Sequence, residues 1–439
     1  MNTKDMNTTD MNSKEMNTKD RVLRILEENR GKQVSGTEIA RNLNISRNAV
    51  WKAINGLKQE GHYIDAGTNR GYSLASHNDI LSLAGILPFL APGVLAPEIL
   101  ASEIPAPEIL APEHTKIHVF QEVVSTNTMA KKMAVSYKAE EYKDAHGTVL
   151  IADKQTQGYG RHGRPFFSPS GHGIYMSFIL NPNKLGFDTP TLITSYTAVT
   201  VCEAIENLCG KYPKIKWVND IFLGKNSDRC NSDRCNNDRR NSDTCNNDIC
   251  SDNICSDNIC NDNDLKKICG ISAEAVMDLE SRTIQWIVVG IGINFTMPDL
   301  PALAPELAEE LTPVVGAVFE EGLPVITRNQ LAAEIINGML KVKIGSSVEM
   351  LDKYRQRLFI LGKKVRVLNV AGGRSSENNP GNNSENNLEN NSENNSGNNP
   401  KNYYEATALD IDEIGQLIVQ NEEGERITLS AGEISIKWR

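Results

Sequence analysis

The sequence predicts an α+β protein of several domains: an N-terminal winged helix-turn-helix, a central mixed α/β domain and a C-terminal SH3-like β-barrel. Three observations predict this order. Three amphipathic helices and a hairpin come first, strands that alternate with long helices follow, and short alternating strands separated by glycine turns come last. A chain of 439 residues is long enough for such an arrangement.

The composition limits the class of protein. A net charge of −10 excludes a uniformly basic nucleic-acid-binding protein, so any basic surface must be local. No apolar run reaches the roughly 18 residues of a membrane span, and the polar first twenty residues lack the apolar core of a signal peptide. We therefore expect a cytoplasmic protein with no membrane partner.

Four tracts of short repeats interrupt the sequence and are not expected to build a core. They are residues 1–20, 87–113, 226–263 and 375–402. The last two are rich in Asn, Asp and Ser and carry too little apolar surface to offset chain entropy. The proline-rich tract predicts an extended linker. The tracts are thus low-complexity insertions at termini, linkers or loop tips.

These tracts set the predicted domain boundaries. The predicted units are a repeat tail 1–19, the winged helix 20–76, a proline-rich linker 77–115, the central domain 116–361 with its insertion 226–263, and the C-terminal domain 362–439 with its insertion 375–402. Six of the nine cysteines lie in 226–263, five or ten residues apart. Zinc sites use closer spacing, so free thiols are favoured over metal binding.

The N-terminal module reads as a winged helix. RVLRILEE carries an apolar helical stripe, and SGTE, residues 35–38, is a capping box that opens a second helix. Ser46 begins a third helix, with Gly61 as its stop, and the segment after it predicts a hairpin with its turn at Gly67 to Gly71. Three helices and a hairpin with a short turn between helices two and three are typical of this DNA-binding motif.

The third helix would enter the major groove with Arg47, Asn48 and Lys52 near base edges and phosphates. Residues 20–75 hold nine Lys or Arg against six Asp or Glu, which favours DNA contact inside an otherwise acidic chain. The alternative is a small helical domain that binds another protein.

The stretch DKQTQGYGRHGRPFFSPSG, residues 153–171, joins two apolar runs that each predict a strand. A hairpin needs about two to five loop residues, so a connection this long is either functional or disordered, and its bulky aromatic residues favour function. Glycines let backbone N–H groups approach a ligand, while Arg161 and Arg164 match carboxylate or phosphate oxygens. The loop predicts an anion site; the alternative is a surface loop with solvated arginines.

The sequence resembles the biotin protein ligases, specifically the bifunctional type that is also the biotin operon repressor. The motifs that carry the resemblance occur in order: STN at 125–127, GYGRHGR at 158–164, KWVND at 216–220, KKICGI at 266–271, GIGINF at 290–295 and GEISI at 432–436. Three positions depart from the usual pattern. Tyr159 stands in place of the first arginine of the loop, Phe166 in place of a tryptophan, and Val218 in place of a proline.

The resemblance implies a central domain of the biotin/lipoate-ligase type, similar to class II synthetases, that uses biotin and ATP with Mg²⁺. It implies that Arg161, Lys267 and Asp220 are catalytic, with Asp220 as the Mg²⁺ ligand. The residues it implies for binding biotin and the adenylate are Ser125, Thr126, Asn127, Gln155, Gly158, Gly160, Arg161, Arg164, Lys267, Gly270 and Asn294. The implied partners are a biotin carboxyl carrier protein, operator DNA and, with biotinyl-AMP bound, a second copy of the chain.

The chemistry asks for these residue types independently of the resemblance. A carboxylate is a poor electrophile, and joining it to ATP brings two anions together, so cations must neutralise the developing charge. Mg²⁺ takes one or two carboxylates and keeps several waters. Three hypotheses therefore stand: a biotin ligase that also binds DNA, a regulator whose central domain only senses biotin, and a lipoate–protein ligase. For Lys267, Asp220 and Asn294, purely structural roles are the alternative.

Overall fold

The computed structural model describes residues 17–67, 70–92, 94, 117–136, 145–185, 192–224, 264–278, 282–306, 314–340, 347–368, 403–430 and 434–436. The insertions 226–263 and 375–402, most of the predicted tail 1–19 and most of the proline-rich tract lie outside the described residues. The chain divides into two compact units, Met1–Arg357 and Leu358–Arg439. That division falls a few residues before the boundary predicted at 361.

The first unit begins with the predicted winged helix. Its elements are α1 (Thr18–Glu28), α2 (Gly36–Asn42), α3 (Arg47–Gln59), β1 (Ile64–Gly67) and β2 (Gly71–Leu74). The Ser35 and Ser46 hydroxyls accept hydrogen bonds from the Glu38 and Ala49 amides, both at 3.1 Å, so both predicted helix starts are confirmed. The apolar faces of the helices bury Val22, Leu23, Leu26, Ile39, Val50, Ile54 and Leu57.

The segment predicted as a linker, 77–115, begins with folded structure. Residues Leu83–Ile86 form α4 and Leu87–Phe89 a 3₁₀ turn, and both pack against a helix far along the chain. Apolar residues Leu81, Ala84 and Ile86 are buried there, because LSLAGILPFL precedes most of the prolines and can form a short helix. The proline-rich residues 95–113 lie outside the described residues.

A seven-stranded sheet forms the centre of the first unit. The strands are β3 (Ile117–Val123), β4 (Thr148–Gln155), β5 (Gly173–Leu180), β6 (Lys214–Lys216), β7 (Asp220–Leu223), β8 (Lys266–Met277) and β9 (Ile284–Asn294). Their order across the sheet is β3-β4-β5-β9-β8-β7-β6. The β3–β4 pair is parallel and the other neighbours are antiparallel. Every residue of β5 is buried, as expected for a strand covered on both faces.

Helices cover this sheet. They are α5 (Thr126–Ser136), α6 (Leu192–Cys209), α7 (Leu300–Leu303), α8 (Arg328–Leu340) and α9 (Ser347–Arg357). Helix α5 packs Ala130 and Ala134 against Leu150, Ile179 and Val288 of the three strands β4, β5 and β9. Helix α7 lies in the segment that follows β9, whose residues 307–313 lie outside the described residues.

The second unit is a five-stranded antiparallel sheet. Its strands are β10 (Lys364–Leu368), β11 (Tyr403–Ile411), β12 (Leu417–Asn421), β13 (Arg426–Leu429) and β14 (Ile434–Ile436), in the order β13-β12-β11-β10-β14. The fold class is thus confirmed: a winged helix, a mixed α/β domain and a small antiparallel β module. Among the described residues, no helix has both the length and the apolar character needed to cross a bilayer.

Each of the two large insertions lies between two strands, and the last residue of the strand before it pairs with the first residue of the strand after it. Leu223, the last residue of β7, pairs with Lys266, the first of β8. Leu368 at the end of β10 pairs with Tyr403 at the start of β11, so the tract 375–402 lies in sequence between the first two strands of the C-terminal module. Each insertion therefore separates two paired antiparallel strands.

Candidate active site

A row of small and polar residues crosses the three central strands of the large sheet. The register places Gly290 of β9 between Ser177 of β5 and Ser272 of β8. Above this row lies Asn127 at the start of α5. Its amide nitrogen donates to Ser272 Oγ and to Glu274 Oε1, both at 2.9 Å, and its Oδ1 lies 2.6 Å from Ser177 Oγ. A Cβ on Gly290 would lie 2.3 Å from Asn127 Oδ1, so only glycine fits beneath this side chain.

The second row of the same face lies two residues further along each strand. It contains Tyr175, Gly292 and Gly270, and here an aromatic ring from the glycine-rich loop covers the glycines. A Cβ on Gly292 would lie 2.8 Å from the Phe166 ring. Glycines within strands predict a close approach by a ligand or backbone. Here the groups that approach Gly290 and Gly292 are side chains of the protein itself, Asn127 and Phe166.

The neighbouring polar residues connect α5 with the loop. The Thr126 amide and hydroxyl both donate to Gln155 Oε1, at 2.9 and 3.2 Å, and Gln155 Nε2 donates to Ser168 Oγ at 3.0 Å. Thr126 and Ser168 are buried. Ser125 is buried as well, and its hydroxyl accepts from the Thr128 amide at 3.4 Å at the start of α5. The structure thus brings together the predicted residues Thr126, Asn127 and Gln155.

The glycine-rich loop, residues 156–172, doubles back on itself. The Phe166 amide donates to the Gly158 carbonyl at 2.8 Å and the Gly160 amide to the Arg164 carbonyl at 2.8 Å. A Cβ on Gly158 would lie 2.6 Å from Ser168 Oγ, whereas Gly160 has no such neighbour. The tip is a turn, Arg161–Gly163, with Arg164 exposed just beyond it.

Two cationic side chains lie at the β7–β8 side of the loop, each held by a polar partner. Arg161 Nη1 donates to Asn219 Oδ1 at 3.0 Å, and Asn219 in turn donates to the Ile271 carbonyl at 2.7 Å. Lys267 Nζ lies 2.7 Å from Asp220 Oδ1, and both side chains are partly exposed. A Cβ on Gly270 would lie 3.5 Å from the Lys267 amine. The cations predicted for charge neutralisation therefore border one surface.

Asn294 has a structural contact. Its Nδ2 donates to the Gly316 carbonyl at 3.0 Å, while its carbonyl accepts from the Val318 amide at 2.9 Å. Lys267 uses its backbone in the same way, accepting from the Gly316 amide and donating to the Val314 carbonyl. Segment 314–318 is thus fixed beside Lys267 by two predicted site residues.

Tyr159, one of the three departures from the family pattern, takes part in a cluster that the sequence did not predict. Its hydroxyl donates to Glu274 Oε1 at 3.1 Å, and Lys131 Nζ lies 2.6 Å from Glu274 Oε2 and 5.5 Å from the Tyr159 ring centroid. Burial opposes the charge on Lys131, but hydrogen bonds to Glu274 and Tyr159 outweigh it and raise the pKa of the lysine. The family pattern has an arginine at position 159. In this chain that position carries a tyrosine whose hydroxyl is bonded to the Glu274 carboxylate, with Lys131 nearby.

Three further participants had only weak signals in the sequence. Asn219 follows directly on the KWV run, Glu274 is an acid inside a strand of small and apolar residues, and Ser177 is polar inside GIYMSFIL. A polar residue within a buried strand is a usable signal, since it needs a partner. The identity of that partner, Asn127, could not be inferred because it lies on another element.

Among the described residues, no group of three or more His, Cys, Asp or Glu is arranged to hold a metal ion by itself. Asp220 is a single carboxylate, already paired with Lys267. This donor set fits Mg²⁺ only in the way the ion usually binds nucleotides, through one carboxylate together with phosphate oxygens and waters.

The winged helix offers a second surface. Arg47, Asn48 and Lys52 are all exposed on α3, as predicted, and so is Trp51, which is 56% exposed. Arg47, Asn48 and Trp51 line a concavity that β1, β2 and the start of α2 complete, with Tyr72 on its opposite wall. Trp51 is not among the predicted DNA-contacting residues, although an exposed tryptophan on this helix lies directly beside them.

Family models match all three parts of the chain. An HTH domain model matches residues 18–73, the biotin/lipoate A/B protein ligase family model matches 120–294, and the biotin protein ligase C-terminal domain model matches 399–437. Together they account for more than half of the chain, in the order that the motifs predict. The central and C-terminal parts of the chain, residues 120–294 and 399–437, are domains of the biotin protein ligase family.

Curated relatives include proteins named bifunctional ligase/repressor BirA. The one from Bacillus subtilis (strain 168) is 28% identical over 285 residues, which is 64% of this chain and 67% of the relative. The one from Escherichia coli (strain K12) is 25% identical over 193 residues, 44% of this chain and 51% of the relative. A solved biotin protein ligase from Aquifex aeolicus in complex with biotin and ATP is 21% identical, with a TM-score of 0.46, over 73% of this chain and 98% of that chain.

Proposed function

We propose that the protein is an ATP-dependent ligase that joins biotin to a lysine of a biotin carboxyl carrier protein and also acts as a biotin-responsive transcriptional repressor. The observation that supports the ligase most directly is the meeting of five separated motifs on one face of the large sheet. At one end of this face lie hydrogen-bonded polar groups, and at the other end lie two cations. The motifs that contribute them are STN, the glycine-rich loop, WVND, KKICG and GIGIN.

In the first reaction, a biotin carboxylate oxygen attacks the α-phosphorus of ATP. A carboxyl–phosphate bond forms, the bond from the α-phosphorus to the bridging oxygen breaks, and pyrophosphate leaves with that oxygen. We assign Arg161 and Lys267 to the negative charge at the new junction, because both are cationic and border one surface. Gln155 and Gly158 would line the biotin site, with Thr126 and Asn127 hydrogen-bonded beside them, and Gly160 would border the adenylate in the same loop.

In the second reaction, a lysine amine of the carrier protein attacks the acyl carbon of biotinyl-AMP. An amide bond forms, the acyl–phosphate bond breaks, and AMP leaves while the amine loses a proton. Covalent catalysis by the enzyme is not needed, because the acyl phosphate is already activated. The residues of the site orient the acyl group and exclude water from it.

Mg²⁺ fits beside the nucleotide through Asp220. The ion would neutralise phosphate charge when ATP is bound. Asp220, which is paired with Lys267 here, would be the residue that holds the ion, and Lys267 would stay beside the site to contact the substrate phosphates.

The repressor half of the proposal rests on the winged helix. Arg47, Asn48 and Lys52 lie exposed on α3 beside the wing, where the helix can enter the major groove. One module of this size contacts few phosphates, so tight operator binding calls for two copies on a two-fold site. We therefore propose a homodimer on DNA when biotinyl-AMP is bound, in the cytoplasm where carrier protein and operator are both present.

A biotin ligase and a lipoate ligase share the family model for residues 120–294. The C-terminal match to a biotin protein ligase domain, residues 399–437, favours biotin. The test is incubation with ATP, Mg²⁺ and either biotin or lipoate, with pyrophosphate release as the readout. Pyrophosphate release with biotin but not with lipoate supports the biotin ligase. Pyrophosphate release only with lipoate would reassign the substrate. Biotin binding without pyrophosphate release would indicate a regulator that only senses biotin.

The repressor half has its own test. Operator binding is measured by gel shift with and without biotin plus ATP, and we expect tighter binding when both are present. Because the adenylate promotes binding only if it favours the dimer-competent state, equal affinity in both lanes would overturn the repressor half while leaving the ligase half intact. Arg47→Ala should weaken binding and lower its salt dependence.

A further inference from the structure

A buried arginine joins the glycine-rich loop to the segment that follows the winged helix. Arg328, the first residue of α8, is only 3% exposed. Its Nε lies 3.0 Å from Asp79 Oδ2, and its Nη1 forms an ion pair with Asp153. Nη1 also donates to the Gly173 carbonyl at 3.2 Å and Nη2 to the Asp79 carbonyl at 2.6 Å, so all three guanidinium nitrogens donate.

On one side, Arg328 fixes the two ends of the glycine-rich loop, where the chain leaves β4 and enters β5. We call these two ends, residues 153–155 and 170–173, the loop neck. Asp153 lies near the end of β4, and its carboxylate accepts from the Ser170 hydroxyl and, at 3.2 Å, from the Gly171 amide. Arg328 contacts Asp153 on the first strand and the Gly173 carbonyl on the second. One side chain therefore spans both ends of a loop of 17 residues, 156–172.

On the other side, the arginine holds the connector, residues 75–82, that leaves the winged helix. Asp79 Oδ1 also accepts the Arg328 backbone amide at 2.7 Å. The next residue of α8 continues the contact, because Asn329 accepts from the Ser82 amide at 3.1 Å and donates to the Ile80 carbonyl at 2.9 Å. Within the winged helix, Arg30 donates to the Asn78 carbonyl at 2.7 Å. The connector is thus bonded at both ends.

We infer that Arg328 is a positioning residue for ligation, which fixes both ends of the glycine-rich loop through Asp153 and the Gly173 carbonyl and ties that loop to the winged-helix connector through Asp79. The inference rests on the proposed function of the loop. A guanidinium stays charged when buried, so it needs a carboxylate partner, and its planar fork fixes the positions of Asp79 and Asp153 relative to each other. Two sites that bias the same buried element are coupled, and the coupling is reciprocal.

The test compares Arg328→Lys with Arg357→Lys. Arg357 Nη2 donates to both carboxylate oxygens of Glu206, at 3.0 and 2.8 Å, and this pair joins α9 to α6 without contacting the loop or the connector. Lysine keeps the charge but loses the fork in both variants. For Arg328→Lys we expect the KM for biotin and the dissociation rate of biotinyl-AMP to rise by roughly tenfold, the value of a charge-assisted contact. The kcat for adenylate formation should change less than about twofold in Arg328→Lys. In Arg357→Lys, the KM for biotin and the dissociation rate of biotinyl-AMP should both stay at the wild-type value.

A second measurement needs no ligand. Hydrogen exchange at the loop neck, followed at the Gly171 and Gln155 amides, should accelerate by roughly tenfold in Arg328→Lys and several-fold in Asp79→Asn. If wild type makes no adenylate, the proposed function fails while this measurement still decides the clamp. Exchange that matches Arg357→Lys would overturn the positioning role. Unchanged exchange in Asp79→Asn would overturn the tie to the connector.

Discussion

Two of the long connections between antiparallel strands differ in composition and in how the described residues hold them. The glycine-rich loop 156–172 joins β4 to β5 and is anchored along its length, by Phe166 over Gly292, by Gln155 to Ser168 and by Tyr159 to Glu274. The insertion 226–263 lies between β7 and β8, and the flanking residues Leu223 and Lys266 pair with each other.

The difference shows what makes a long loop functional. Length alone does not, because a hairpin tip tolerates insertion at small entropic cost. A loop acts on a ligand when its side chains are fixed by the scaffold, since fixed groups lose little entropy when the ligand binds. The first connection meets this condition, whereas the second is rich in Asn, Asp and Ser and lacks the aromatic residues that anchor the first.

The largest expected effect comes from removing the cation at the loop tip. Arg161→Ala should leave folding intact and raise the dissociation rate of biotinyl-AMP roughly tenfold or more, because a charge-assisted contact contributes about 1.5–3 kcal/mol. Stopped-flow release of the intermediate measures it. Arg355→Ala, at an arginine paired with Asp352 on its own helix, is the control. Unchanged release in Arg161→Ala would remove this residue from the site.

A smaller effect is expected from detaching the loop while keeping its charges. Gly292→Ala places a methyl group 2.8 Å from the Phe166 ring and must displace it. Overpacking costs about 1–3 kcal/mol, so the KM for biotin should rise roughly tenfold.

The control for this prediction is Gly338→Ala, which crowds Thr200 at 2.5 Å between α8 and α6, away from the loop. It should lower the Tm but leave the KM unchanged. Equal KM changes in both variants would mean that the anchoring of Phe166 is not what matters.

Tyr159→Phe removes one hydrogen bond, to Glu274. Because Glu274 keeps its ion pair with Lys131, we expect the loss to stay near the net value of a typical hydrogen bond, about 0.5–1.5 kcal/mol, so biotinyl-AMP release should accelerate about two- to tenfold. Tyr212→Phe, at a tyrosine that is 40% exposed, is the matched control. If Tyr159→Phe behaves as wild type, the cluster around Glu274 does not hold the loop.

The smallest effect is expected at the second connection. Deleting 226–263 leaves four residues between the paired Leu223 and Lys266, a normal hairpin length. Loop length costs only about 0.6 kcal/mol per doubling, so biotin transfer to the carrier protein should stay within about twofold of wild type. Loss of most transfer would show that this insertion takes part in function.

The sequence alone determined much of this protein. Apolar periodicity and the caps at Ser35 and Ser46 predicted the winged helix, because a helix start needs side chains that accept its free amides. Composition located both hairpin insertions. Glycines and arginines in one long loop predicted an anion site, and the ordered motifs predicted the family that the comparisons confirm.

Only the tertiary structure decided which residues meet. Strand register put Ser177, Gly290 and Ser272 in one row under Asn127, and a fold of α8 back onto the connector brought Arg328 between Asp79 and Asp153. The partners of Arg328 lie 249 and 175 residues away in sequence. Local propensity carries no signal over such separations, because these contacts form only once the sheet and helices pack around a shared core.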